Sequence, residues 1–315
     1  MSKTSNKEVK KVLDDGIILS ELYRGTVQVK FYGPTEEKPG RHLYYVNGKR
    51  ATGVTSFIGI KDKSRPLGIW QQQITADFLL KALEAGKKID IDLALEAAIQ
   101  NDVLREEAAD IGKEIHAWCE AYIRHKLKQK GFEKLPDMPN YPEAITGVNS
   151  FFAWEKEHKV KWISTERLVY SKKHDYVGTM DLEAVIDGKH CLGDFKSSNG
   201  LYNAVRMQTA AYAEADMEER GKRFYDGRFV IRLAKYTESE HNRREERKKL
   251  IKQAVARIKG HEAKDYDTKP YQVFEAQFLD NDKDSMKKDM KAFLNTVELT
   301  RWDRENDPYY NGGIL

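Results

Sequence analysis

Along the chain the apolar positions recur with two different periods. From about Asp102 to Lys128 the period is helical: Ile111, Ile115, Trp118 and Tyr122 fall at i, i+4, i+7 and i+11, one buried stripe. Val177 to Ile186 alternates instead. Met180, Leu182, Ala184 and Ile186 are predicted on one face of a strand, and Thr179, Asp181 and Glu183 on the other. Asp187-Gly188 is a two-residue hairpin signal, because a type I′ turn needs positive φ and this pair tolerates it. With that turn, Ile186 pairs with Lys189. Counting back puts Asp181 directly opposite Asp194, with Lys196 on the same face opposite Thr179.

The same reading predicts the other elements. Residues 1 to about 40 are polar and poorly patterned, punctuated by Pro34, Pro39 and Gly40. Residues 42–59 predict a hairpin around Asn47-Gly48. Helices are expected at about 67–85, 92–100 and 102–128, with a Gly- and Pro-rich loop at 131–142 and a further helix over 142–158. Strands follow near 162–171, 177–187 and 189–198, then a helix near 203–220 and a strand near 227–236. The tail predicts a charged helix (about 239–264), a strand FEAQF (274–278) and a last helix (about 282–303). The order from 142 to 236 is therefore α-β-β-β-α-β, a mixed α/β unit with an N-terminal helical elaboration. Four segments result: 1–41, polar; 42–141, hairpin and helices; 142–237, the α/β core; and 238–315, a charged helical extension. Together they read as one compact domain.

Composition narrows the classes. The 315 residues carry 54 basic and 50 acidic side chains, a net charge of +4. Bulk charge thus says little about a polyanionic partner, which would need a local patch. No apolar run is long enough to span a membrane, and the charged start MSKTSNKEVKKVLDDG lacks the apolar region of a secretory signal, so a cytoplasmic location is expected. Cys119 and Cys191 are too few for a disulfide framework, a zinc knuckle or an iron–sulfur cluster.

The candidate chemistry lies in the hairpin. Like charges placed directly across a strand pair repel, and a divalent cation is the simplest compensation. Asp181, Asp194 and the backbone carbonyl of Phe195 supply oxygens suited to Mg²⁺ or Mn²⁺. Lys196 could orient or deprotonate an attacking water, or neutralise charge on a phosphate. A solvated hairpin face with an exposed ion pair accounts for the same spacing. Gly112, His116 and Glu120 share one helical edge, from which a neutral His116 could complete a metal site. As a boundary histidine it needs only a hydrogen bond. Gln208 and Tyr212 stand one turn apart on the next helix and could face the same place, or be ordinary amphipathic positions. The Lys- and Arg-rich run 241–264 could bind a nucleic-acid backbone, although its glutamates suit a solvated face.

Taken in order, GKEIH (112–116), GTMD (178–181), DFK (194–196) and QTAAY (208–212) resemble the nuclease domain of RecB-type exonucleases, members of the PD-(D/E)XK superfamily. YYVNGKRATGVTSFI (44–58) is similar to a segment of phage-type exonucleases and of the mitochondrial genome maintenance exonuclease group. The resemblance spans about 42 to 236 and implies a PD-(D/E)XK core with one or two Mg²⁺ or Mn²⁺ ions. It implies metal ligands at His116, Asp181, Asp194 and the Phe195 carbonyl. Lys196 is implied as the catalytic lysine, with Gln208 and Tyr212 lining the site. Glu166, in STERLVY, matches a frequently acidic position and is placed with Glu120 around the ligands or near a second metal. Met180 stands where the superfamily name has proline, and Lys113 where threonine is common. The implied activity is DNA exonuclease in recombination, repair or phage DNA processing, in a bacterial or phage-infected cell. The implied partners are DNA with a free end and a recombination protein. An endonuclease on the same core and a non-catalytic DNA-binding subunit are the alternatives. For a single-stranded substrate, Tyr44, Tyr45, Trp70 and Trp118 are conceivable stacking platforms, with Trp118 better suited to the core. No oligomeric state is implied.

Overall fold

The structure, a computed structural model, describes residues 9–12, 17–33, 42–198, 200–221, 225–262, 265–280 and 283–307. Pro34, Pro39, Gly40 and most of the charged start lie outside them. The described residues form two five-stranded sheets and seven helices, a mixed α/β architecture. No helix among them is long and apolar enough to cross a membrane.

The first sheet is an antiparallel meander, β1 (Val9–Val12), β2 (Ile18–Leu22), β3 (Val27–Tyr32), β4 (Leu43–Val46) and β5 (Lys49–Ala51), in that spatial order. Its first three strands correct the reading of residues 1–40 as poorly patterned. Ile18–Leu22 and Val27–Tyr32 do alternate, but they are joined by a turn with no Asn-Gly or Asp-Gly. Tyr23 and Arg24 take the positive φ themselves, at 52° and 58°. The β4–β5 turn uses the predicted Asn47-Gly48, with φ of 48° and 80°. Beyond β5 the predicted hairpin gives way to a short helix, α1 (Val54–Ile58).

The second sheet has the order β10-β9-β8-β7-β6, from β6 (Val160–Ser171), β7 (Tyr176–Ile186), β8 (Lys189–Lys196), β9 (Gly227–Leu233) and β10 (Phe274–Asp280). Only β8 and β9 run parallel, and the crossover between them is α5 (Ala204–Arg220). α2 (Ser64–Glu84), α3 (Ile91–Lys126) and α4 (Pro142–Glu157) precede this sheet, while α6 (Glu238–Ile258) and α7 (Lys283–Asn306) frame β10. α3 is one helix where two were expected. Where the two expected helices meet, the helix runs on unbroken, and the Asn101 amide donates to Asp102 Oδ1 at 3.2 Å. The start is at Asp90, whose carboxylate accepts from Leu93 N–H at 2.9 Å.

Two cores sandwich the larger sheet. On one face Ile111, Ile115, Trp118 and Tyr122 of α3 meet α4 and the inward residues of β7, β8 and β9. On the other, α1, α5 and α7 pack over Tyr176, Met180 and Leu192. A third cluster seats the small sheet on β6 and β7, through Leu22, Val29 and Val46 against Leu168 and Val177.

Phe151 is fully buried and its ring touches those of Trp118, Tyr122, Trp162 and Phe195, tying α3 and α4 to the sheet. Phe151→Ala should lower the unfolding free energy by about 3–5 kcal/mol. Phe152→Ala, at a ring that is 37% exposed, should cost much less. Urea denaturation of both variants beside the parent reads the difference.

Candidate active site

The β7–β8 hairpin closes as predicted, with Ile186 opposite Lys189 and Asp187-Gly188 at φ of 50° and 83°. The ladder then runs only to Leu182 opposite Gly193. It stops one position short of Asp181 and Asp194, so the expected direct pairing of the two carboxylates is not made. Asp181 instead turns Oδ2 to the backbone N–H of Phe195, at 2.9 Å. Thr179, expected opposite Lys196, pairs with Leu168 of β6, and its hydroxyl meets Tyr44.

The cause is a break in the alternation of β7. Tyr176 and Met180 pack toward α5, whereas Leu182, Ala184 and Ile186 pack toward α3 and α4. Met180 and Leu182 therefore point to opposite sides, against the expectation that they share a face. The break falls at Asp181. Across from it in β6 the ladder skips Glu166, between Thr165↔Leu182 and Arg167↔Met180. Glu166 has φ of 50°, a left-handed conformation that costs a non-glycine residue about 1 kcal/mol or more. This local strain frees Asp181 from the regular face and aims it into the gap between β7 and β8.

Four side chains meet there. Lys196 Nζ lies 2.6 Å from Asp194 Oδ2, and His116 Nδ1 lies 3.6 Å from Asp181 Oδ2. Asp194 is fully buried, and its Oδ1 receives no hydrogen bond among the described residues. Burial pushes its carboxyl pKa up to about 6; Lys196 opposes the rise and Asp181 adds to it. Asp181 is raised as well, by burial and by Glu120, against the pull of Lys196 and the Phe195 N–H. Burial alone would lower the Lys196 pKa, but the two carboxylates more than offset it and the net shift is upward. Desolvation and the Lys196 charge push His116 down to about 4, although a third of its side chain is exposed. At neutral pH the site therefore holds a neutral imidazole, a cationic lysine and an anionic Asp194.

Two motif glycines have steric reasons. A Cβ on Gly178 would sit 2.3 Å from the Tyr212 ring, and one on Gly112 would sit 2.8 Å from Ser197 Oγ. The first lets α5 approach β7; the second lets the end of β8 approach α3 beside His116. On α5, Gln208 Nε2 donates to Tyr212 Oη at 3.1 Å. The buried Tyr212 phenol is raised well above its ordinary pKa, first by burial and then by Tyr44, Asp194 and Asp181.

Glu120 follows His116 by one turn and holds Arg124 at 2.6 Å. Phe195 buries its ring against Phe151 and His116. Among the aromatic platforms, Trp118 is a core residue stacked on Tyr122. Tyr45 packs on Tyr32, and Trp70 lies on α2 outside the described contacts of the cluster. Tyr44 does reach the site, though through its hydroxyl, which sits 3.1 Å from Thr179 Oγ1. Burial raises its pKa to about 12, with Glu166 and Asp181 adding to the rise. The buried Cys119 thiol, raised by burial and by Asp181, is a neighbour that the sequence did not single out.

The donor set suits a hard divalent cation: two carboxylates, one with a buried oxygen lacking a donor, and a neutral imidazole. Among the described residues, no three histidine, cysteine or carboxylate groups are already gathered for a metal. Lys196 occupies Asp194 Oδ2 and the Phe195 N–H occupies Asp181 Oδ2, which leaves Asp194 Oδ1 without a donor among the described residues and open to a cation. Neither a family model nor a curated protein matches this chain.

Because the folded pKa of Asp194 lies above its unfolded value of about 3.9, its contribution favours the fold below about pH 4 and is lost as pH rises through about 6. Ionised Asp194, only partly compensated by Lys196, is thus a cost that a cation would relieve. Mn²⁺ or Mg²⁺ should raise the melting temperature at pH 8 and do so much less at pH 5, where a proton occupies the carboxylate. Asp194→Asn should remove the metal-dependent shift at pH 8. Gly178→Ala should displace Tyr212 and cost about 1–3 kcal/mol of stability, measurable by thermal and urea unfolding.

Proposed function

We propose that this chain is a metal-dependent deoxyribonuclease of the RecB type, with a PD-(D/E)XK core, that hydrolyses phosphodiester bonds from a free DNA end. One observation carries the reading. Asp194 and Lys196 of one strand meet Asp181 of the neighbouring strand and His116 of a helix distant in sequence, with Asp194 buried and Asp181 partly so. An exposed ion pair on a solvated hairpin would not leave Asp194 without access to water. The order α4-β6-β7-β8-α5-β9 and the Gln208–Tyr212 pair beside the cluster support it further.

Asp181, Asp194 and His116 would hold Mg²⁺ or Mn²⁺, with the Phe195 carbonyl as a further ligand in this reading. Such an ion, when bound, polarises a phosphate and lowers the pKa of a water. Lys196 keeps its proton beside two carboxylates. Its role is therefore that of a cationic donor, neutralising charge on the phosphate and orienting the attacking water, rather than that of a base. His116 is unprotonated at neutral pH and so offers a lone pair. The Tyr212 phenol stays protonated and can donate to a phosphate oxygen. Glu166 and Glu120 stand around the ligands, where their charge raises the pKa of Tyr44 and Asp181 respectively.

The test is nuclease activity on end-labelled single-stranded, duplex and closed-circular DNA, with Mg²⁺, Mn²⁺ or EDTA. Linear DNA should be degraded in a metal-dependent way while circles survive, and the position of the label gives polarity. Lys196→Ala should lower the rate by about a hundredfold or more. It also leaves the buried Asp194 without its partner and so lowers the melting temperature; the rates are therefore compared at a temperature where circular dichroism shows both proteins folded. Cutting of circles would replace the exonuclease reading with an endonuclease. DNA retention without cleavage would replace it with a binding subunit.

A further inference from the structure

The first half of α3 is apolar on two opposite sides. Leu93 and Ala97 are buried on the side that meets α2, where Thr75 Oγ1 donates to the Ala97 carbonyl at 3.3 Å. Two residues out of phase, and so about 200° around the helix, a second apolar row recurs at every fourth position. Ile91, Leu95, Ile99 and Val103 are 78%, 62%, 55% and 47% exposed. A helix that is apolar on opposite sides is normally covered on both. Residues 90–110 also carry seven acidic side chains against one basic, Arg105. This rim repels nucleic acid and any anionic surface, so the occupant is a protein surface with a basic rim.

The chain itself displays such a surface. On α6, Leu250 and Ile258 are 61% and 85% exposed, with Val255 between them. From Arg247 to Lys259 there are six basic residues and no acidic one. Arg247 is spent on α2, where it pairs with Asp77 and, at 3.0 Å, with Glu84. Lys252, Arg257 and Lys259 remain exposed around the apolar residues. α2 packs against both α3 and α6, so the acidic row and the basic row belong to two different helices flanking it within one copy.

We infer that the outer row of α3 docks on the exposed row of α6 of a second copy of this chain, a head-to-tail contact between unlike patches. Two α3 rows facing each other would bring their acidic rims together, which disfavours a symmetric α3–α3 dimer. Because the patches differ, each copy keeps one of each available, and the assembly grows until it closes as a ring or extends. This inference rests on the helical layer alone and does not depend on the reading of the active site.

Sedimentation velocity of the full chain tests it, with variants confined to exposed side chains and circular dichroism as a check on folding. The parent should form multimers at micromolar concentration that dissociate as salt is raised. Leu95→Lys with Ile99→Lys should weaken association about a hundredfold and give monomers. Leu250→Glu with Ile258→Glu should do the same. An equimolar mixture of the two variants is the decisive measurement. Each retains the patch the other has lost, so each partner contributes one intact row. In the contact between those intact rows the mixture should give a species of twice the monomer mass and nothing larger. A parent that stays monomeric over the whole concentration range overturns the inference and leaves the α3 row to a different protein. A multimer that survives the α6 substitutions, or a mixture that stays monomeric, overturns it too.

Discussion

A carboxylate denied water has to be compensated, and at Asp194 the compensation is Lys196, two positions further along the same strand. Much of the site depends on that pairing. Lys196 is cationic because Asp194 and Asp181 raise its pKa against the cost of its own burial, and its charge in turn helps to keep His116 neutral. The compensation is incomplete, since Asp194 Oδ1 meets no donor among the described residues and its pKa stays near 6. A buried acceptor left in this state costs stability, and such costs persist where a ligand relieves them.

The second constraint is the backbone break shared by Asp181 and Glu166. A regular β7 would place Asp181 on one continuous face, either submerged under α5 or turned to α3. The interruption lets Met180 fill the α5 side and Leu182 the α3 side, with Asp181 left at the seam. The left-handed Glu166 opposite it is the matching irregularity in β6. An ion network behind the seam holds α5 against these strands: Arg167 joins Asp216 and Glu219, and Arg220 joins Glu183 and Asp216. Gln208 and Tyr212 are thereby fixed where Gly178 leaves room for them.

α3 links this chemistry to the rest of the molecule. Its second half is core and carries His116; its first half leaves the core, packs one side on α2 and turns an apolar row outward. The small N-terminal sheet closes the opposite flank. It lies on Leu168 and Val177 and delivers Tyr44 to Thr179 from 135 positions away in the chain. The site is thus assembled from four regions that are remote in sequence.

Local periodicity and turn chemistry were readable without a structure. The order of the four motifs, and the resemblance it carries, grouped His116, Asp181, Asp194, Lys196, Gln208 and Tyr212 as one candidate set, while periodicity and turn residues placed α4 to β9 to within three residues and closed the β7–β8 hairpin at Asp187-Gly188. These signals are local, set by side-chain period and by which residues tolerate positive φ. The N-terminal strands escaped notice because their turn has no Asn-Gly or Asp-Gly and spreads its positive φ over Tyr23, Arg24 and Gly25, and α3, read as two helices, runs unbroken from Ile91 to Lys126. Other features were decided only by packing between distant segments. They include the face change at Asp181, the burial of Asp194, the direction of each pKa shift and the arrival of Tyr44. The physical reason is that burial and charge compensation belong to the contacts a residue makes across the fold, and no window of sequence contains them.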